Sequence, residues 1–394
     1  MAEENYRNNR PFLLMEGGPL FRIEQRIGSI RKDIPFTKRR ALFSILLTWL
    51  PLFILSLLQG TAFGRTIPVP FLRDFSVYSR FLFAVPLLLL AENILGPRIA
   101  GTAEHFIQAN VVLPPDYDRF DGAVAFGLRR RDAAVFEFMI AVLAFVISIG
   151  GFLTTAVHAS TWYAIQSSAG TSLTLAGWWY VAIALPMFHF LGLRWIWRLF
   201  LWFQFLAAMN KLDLQIFPTH PDKAGGIGFV GEAQRFFGIL LFAFSCALAG
   251  IIANEIVYNH FPLESLGPAI IGYIVILLAV LVLPLAIFAG RLLSTKRQGL
   301  HQYGALGTAY TGSFHKKWIL GQNPGNEPLL GTGDIQSLAD FGNSYGMVEH
   351  MKPLPIDPRT LIHLVIAGLL PMAPLLLTVM PLKEVVSLVL KLLA

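Results

Sequence analysis

The chain has 394 residues, 55% of them apolar and only 14% charged, with a formal net charge of +7 and a mean hydropathy of +0.59. Soluble domains carry about a quarter charged residues, so this composition excludes an ordinary soluble domain and points to long charge-poor membrane spans. The basic balance is not a nucleic-acid signature, because Lys and Arg sit beside the spans, and the single cysteine, Cys246, excludes an intrachain disulfide or a cysteine-based metal site.

Residues 1–40 form a polar N-terminal segment with nine Lys or Arg and five Asp or Glu. They precede an apolar stretch that reads as an uncleaved signal anchor. Apolar runs then predict spans at 41–59, 76–96, 133–157, 176–199, 234–257, 268–290 and 360–380. Each reaches the roughly 20 residues that the hydrocarbon core requires. The runs are continuous rather than alternating, which selects helices over barrel strands. The expected fold class is all-α, a polytopic membrane bundle of seven helices. Six spans fall within 41–290, a cytoplasmic helical insert occupies 291–358, and 359–394 holds the seventh span and an interfacial helix at Leu382–Leu393.

The loops after spans 3 and 5 carry no Lys or Arg, whereas those after spans 2, 4 and 6 are basic. The positive-inside rule therefore predicts a cytoplasmic N-terminus and an external C-terminus. Five spans contain proline, at Pro51, Pro86, Pro186, Pro284 and the pair Pro371 and Pro374. Each invites a kink, and the last pair leaves a re-entrant hairpin as the alternative to a seventh crossing. Beyond span 6, Tyr303, Leu306, Tyr310 and Phe314 continue a helix. After a loop rich in Gly, Pro and Asn, the residues Ile335, Leu338, Phe341, Tyr345 and Val348 mark another. The residues themselves show no internal repeat, so the inverted-repeat mark of transporters is missing.

Two groups of residues carry chemistry. Glu92, Glu137, His189 and Arg194 are ionisable, lie within spans, and fall at comparable depth on the cytoplasmic side of the midplane; His189 is about 20 Å from the outer end of span 4 at 1.5 Å per residue. Such groups are costly in a bilayer and face the bundle interior. One reading makes them a permeation or proton pathway. The other pairs Glu92 or Glu137 with Arg194 or Arg198 as structure. The second group is the loop of His220, Asp222, Lys223, Gly225, Gly226 and Gly228, ahead of span 5. Successive glycine N–H groups can converge on an anion, yet the pattern is neither a P-loop nor a dinucleotide fingerprint. A tight structural turn is the alternative.

Other candidates are weaker. His158, Glu255 and His260 lie near the outer ends of spans 3 and 5 but fit no metal spacing. Asp340-Phe341-Gly342 shares letters with a kinase motif and no other kinase element accompanies it. Arg80, close to the outer end of span 2, reads as a snorkelling residue.

The stretches Pro218-Thr219-His220-Pro221-Asp222-Lys223-Ala224-Gly225-Gly226-Ile227-Gly228-Phe229 and Asp334-Ile335-Gln336-Ser337-Leu338-Ala339-Asp340-Phe341-Gly342-Asn343-Ser344 resemble signatures of an uncharacterised family of bacterial multi-pass inner-membrane proteins, and the ending Leu377-Thr378-Val379-Met380-Pro381-Leu382 is similar too. The resemblance covers roughly the C-terminal half, implies a bacterial inner membrane and implies no activity. The leading expectation is a channel or transporter for a small solute or ion. Its rival is a membrane scaffold that uses its cytoplasmic helices, and a membrane-embedded enzyme ranks third because catalytic clusters are missing. The expected partners are the lipid bilayer, a small solute or ion, and a second copy in a homo-oligomer. No cofactor and no nucleic acid is implied.

Overall fold

The computed structural model describes residues 11–19, 21–22, 37–64, 67–155, 161–167, 170–322, 328, 332–381 and 383. The expected interfacial helix at Leu382–Leu393, apart from Lys383, lies outside the described residues, as do His158 and most of segment 1–40. Seven helices are long and apolar enough to cross a membrane. In chain order the elements are α1 (Thr37–Leu58), α2 (Phe75–Gln108), α3 (Tyr117–Asp132), α4 (Ala134–Thr155), the hairpin β1 (Ala164–Ser167) and β2 (Gly170–Leu173), α5 (Leu175–Met209), α6 (Phe229–Asn259), α7 (Leu263–Ile319), α8 (Gly333–Glu349) and α9 (Pro358–Thr378). All but α3 and α8 are spans, and the protein is a multi-pass, all-α membrane bundle.

The bundle has two unlike ends. One carries the β-hairpin, paired antiparallel in the register Ala164↔Leu173, and is called the hairpin end. The other carries α3, the His220 loop and the α7–α8 arm, and is called the basic end. α2 and α5 run on past their expected limits there, and α7 continues beyond span 6 through Tyr303, Leu306, Tyr310 and Phe314 as expected. α7 continues for 57 residues, about 85 Å at 1.5 Å per residue if straight. α8 folds back on this extension through a Tyr310–Phe341 ring stack and a Lys317–Asp334 ion pair at 2.9 Å.

α1 packs along α2, α4 along α5, and α6 against the hairpin-end half of α2. Their shared core is aromatic: Phe81, Phe106, Trp162, Trp195, Trp202 and Phe205 are all buried. The outward face of α4, with Val135, Phe138, Met139, Val142 and Val146, is exposed and apolar, as a surface in contact with acyl chains must be. Pro371 and Pro374 do not reverse the chain. They turn the last nine residues of α9, Leu370–Thr378, into 3-10 helix, and the helix as a whole keeps the length of a full crossing.

The prolines of α2 and α5 have a second effect. In each helix a short capped α-turn, Phe75–Tyr78 or Leu175–Trp179, leads into a π segment, Ser79–Ala84 or Tyr180–Ala184, and regular α-helix resumes with Pro86 or Pro186 in its first turn. Proline lacks an N–H and its ring collides with the carbonyl four residues back, and the widened turn absorbs both faults. The caps match as well. Asp74 accepts from the Ser76 N–H and Thr174 from the Gly177 N–H. The starts of α2 and α5 thus share one design: a capped turn, a π segment and a proline at the same spacing.

Candidate functional site: a buried charge cluster and two facing π segments

The basic end of the bundle buries a carboxylate among three guanidiniums. Glu92 of α2 receives Arg198 at 2.7 Å and Arg194 at 3.3 Å on Oε1, and Arg40 of α1 at 2.9 Å on Oε2. Arg194 also reaches Glu137 of α4, Nε to Oε1, at 3.9 Å. The four side chains that meet on Glu92, its own included, are less than 10% exposed. Arg194 and Arg198 share a helix face one turn apart, and this i,i+4 spacing aims both at α2. A buried charge is tolerated only when paired and fully hydrogen-bonded, and here three cations meet two carboxylates.

The remaining acceptors come from the N-terminal segment. Residues 11–19 form a strap laid into the basic end, with Phe12, Leu14 and Met15 buried. Phe12 stacks on Phe205 with ring centroids 4.7 Å apart. The absence of a side chain makes room for it: a Cβ at Gly127 would stand 3.0 Å from the Phe12 ring, and one at Gly96 would stand 3.3 Å from Met15. The strap's carbonyls then face the cations. Arg198 Nη2 donates to the Met15 carbonyl at 2.9 Å, Arg194 Nη2 to that of Gly17 at 3.4 Å, and Arg131 to that of Leu13. The Gly18 N–H donates to Asp132 Oδ1 at 2.9 Å. Gly17 and Gly18 both hold positive φ, at 152° and 96°, which lets the strap turn beside the Arg131 and Glu137 side chains.

His189 is not part of the cluster. Its Nδ1 lies 2.8 Å from Ser148 Oγ of α4, and that hydroxyl is also 2.6 Å from the Ala144 carbonyl. The Ser148 hydrogen goes to the carbonyl, so Nδ1 of His189 is the donor to Ser148. Nearer the hairpin end, Arg80 does not snorkel outward. Its Nη1 donates to the hydroxyl of Tyr180, a buried residue, at 2.7 Å across the two π segments. Asp74 just beyond is buried and fully engaged. It accepts from Ser76 Oγ at 2.6 Å, Asn254 Nδ2 at 2.7 Å and Trp162 Nε1 at 2.8 Å, which binds α2 to α6 and to the start of the hairpin.

The His220 loop forms a nest, and its anion is its own. Asp222 Oδ1 accepts from the Ala224 N–H at 2.7 Å, Oδ2 from the Gly228 N–H at 2.8 Å, and both from Gly226; His220 Nδ1 stands 2.8 Å from Oδ1. Burial alone would push this carboxyl up, but those three N–H groups and His220 hold it below its ordinary value. Lys223 keeps φ at 56° and its carbonyl accepts from the Lys352 N–H at 2.7 Å, which docks the loop on the segment before α9. A Cβ at Gly225 would overlap Ile216. On the far side of the bundle, Glu255 accepts from Asn259 Nδ2 at 2.7 Å. Among the described residues no three His, Cys, Asp or Glu side chains are placed to share a metal ion.

Glu92, Glu137 and Arg194 thus come together, while His189 and the His220 loop stand apart from them and from each other. Arg40, the strap and Tyr180 escaped the reading of the sequence. The apolar island Phe12-Leu13-Leu14-Met15 in an otherwise polar segment is the signal that marks the strap.

Compared with protein-family models, curated proteins and solved structures, the chain matches none of them. The matched starts of α2 and α5 and the charge cluster are therefore the basis for a functional reading.

Proposed function

We propose that this protein moves a small anion across a bacterial inner membrane through the space shared by α1, α2, α4 and α5, with its N-terminus and basic end in the cytoplasm. The observation that carries this reading is the composition of the cluster: among the described residues Arg40, Arg194 and Arg198 meet Glu92 and Glu137, and the Arg194 and Arg198 guanidiniums turn to backbone carbonyls of the strap. If the strap leaves, those two guanidiniums hold free N–H donors and excess positive charge at the cytoplasmic mouth, which is what an anion requires. The strap in this reading is the gate. His189 with Ser148, and Arg80 with Tyr180, are further polar stations along α5 towards the hairpin end. Two proline-broken helices of matched design face one another here, and broken helices line substrate sites in transporters.

Reconstitution into proteoliposomes tests this. Deleting residues 1–19 should raise the efflux of a small anion such as chloride or phosphate, and His189→Ala or Glu137→Gln should alter it while the protein stays folded. If wild type and the deletion both hold every anion tried, or if neither point variant changes flux, the reading is wrong.

The scaffold reading is favoured by one observation, the α7–α8 arm, where Leu306, Ile319, Leu320 and Ile335 are exposed apolar residues beyond the sixth span. It requires that removing 334–351 dissolve an assembly. An unchanged mass by light scattering would leave transport as the reading.

A further inference from the structure

A cleft of about 260 Å³ opens at the basic end between α2 and the first turns of α6. Arg98, Thr102 and His105 line one wall, and Phe229, Glu232 and Phe236 the other. The Arg98 guanidinium lies 4.5 Å from the centroid of the Phe236 ring, and Arg235 lies 5.3 Å from the same ring. Two like charges on one ring repel each other, and among the described residues neither is within ion-pair distance of a carboxylate. Among the described residues Glu232, one turn before Phe236, is likewise without an ion-pair cation, and all three charges are solvent-exposed. Gly101 lies in the wall, where a Cβ would meet open space. One turn along α2 towards the middle of the bundle, Ile94 is 45% exposed on the same face. Ile94 thus gives the α2 wall an exposed apolar residue on the side towards the middle of the span.

We propose that this cleft binds the headgroup of a phospholipid that carries both a phosphodiester and a primary ammonium, the phosphate on Arg98, with Arg235 against the same Phe236 ring, and the ammonium on Glu232. A phosphodiester replaces the water around these exposed guanidiniums with charge-assisted acceptors. The carboxylate decides the rest of the headgroup. A purely anionic headgroup would leave Glu232 desolvated beside it with no cation, and a choline nitrogen has no N–H to donate. The exposed Ile94 face gives the acyl chains a surface to follow, which favours a lipid over a soluble zwitterion of the same chemistry. The site does not depend on transport, because it lies on the perimeter of the bundle.

The test is native mass spectrometry of delipidated protein titrated with phosphatidylethanolamine, phosphatidylglycerol or phosphatidylcholine of matched chains. Wild type should retain phosphatidylethanolamine best. Arg98→Gln should weaken it about tenfold, the loss of one ionic hydrogen bond, and Glu232→Gln should remove its advantage over phosphatidylglycerol. Gly101→Leu keeps every charge, favours the helix and fills the cleft, so it should weaken binding without unfolding the protein. Equal retention of the three lipids by wild type, or unchanged binding in both Arg98→Gln and Gly101→Leu, would overturn the proposal. So would displacement of bound lipid by micromolar O-phosphoethanolamine, which would reassign the cleft to a soluble ligand.

Discussion

Arg80 and Tyr180 hold the same position in two helices whose caps are Asp74 and Thr174, and their side chains are hydrogen-bonded to one another at 2.7 Å. Both residues lie in π segments, so the contact clamps the two segments together. Tyr180→Phe should leave a guanidinium without its acceptor and cost about 1–3 kcal/mol. The measurement is the unfolding temperature in detergent, and a variant as stable as wild type would show that the clamp contributes nothing.

Glu92 neutralises cations from two other helices. Glu92→Gln should destabilise by about 3–5 kcal/mol, because it strands three guanidiniums in a dry setting. Joining it to Arg198→Met should cost less than the sum of the two single changes, since each removes the other's partner. Strict additivity in chemical unfolding would contradict the pairing at 2.7 Å.

The seat of Phe12 exists because residue 127 has no side chain. Gly127→Val should expel the ring and with it the strap, leaving the spans intact. Limited proteolysis should then cut within the first 36 residues many times faster than in wild type. Unchanged cleavage would mean that the strap is held without Phe12.

The Asp222 carboxyl sits below its ordinary value of 3.8 in the folded protein. A depressed carboxyl contributes stability that is complete above the unfolded value and is lost as pH falls through the lower folded one. Acidification from pH 6 to pH 3 should therefore destabilise wild type more than Asp222→Asn, which keeps the shape and has no carboxyl to protonate. At neutral pH the same variant should cost about 1–3 kcal/mol in lost ionic hydrogen bonds. An equal acid response in both proteins would remove Asp222 as its source.

The spans were legible because the bilayer imposes one demand, a long apolar run, that no other part of the chain satisfies. The design shared by α2 and α5 was not, because matched positions keep a role and change the residue: Asp74 and Thr174 both cap, yet Arg80 faces Tyr180. Pro86 and Pro186 match outright, as do Ala84 and Ala184 and Arg98 and Arg198, but prolines are common in spans and three scattered identities do not stand out. Pairing of Glu92 with Arg194 and Arg198 could be foreseen from depth, but Arg40 was one of nine basic residues in a segment with no visible fold. The glycines of the His220 loop announced a nest. That its occupant is Asp222 follows from backbone torsions, which residue types alone do not specify.

The strap has a consequence for biogenesis. It is synthesised before α1, yet Arg198, which donates to its Met15 carbonyl, lies 183 residues further on. Loop closure over that distance cannot precede the insertion of α5. Seating of residues 11–19 is thus a late step that reports on completed assembly: a chain truncated or misinserted before α5 has no place to bury Phe12, Leu14 and Met15, and displays them to the quality-control machinery instead.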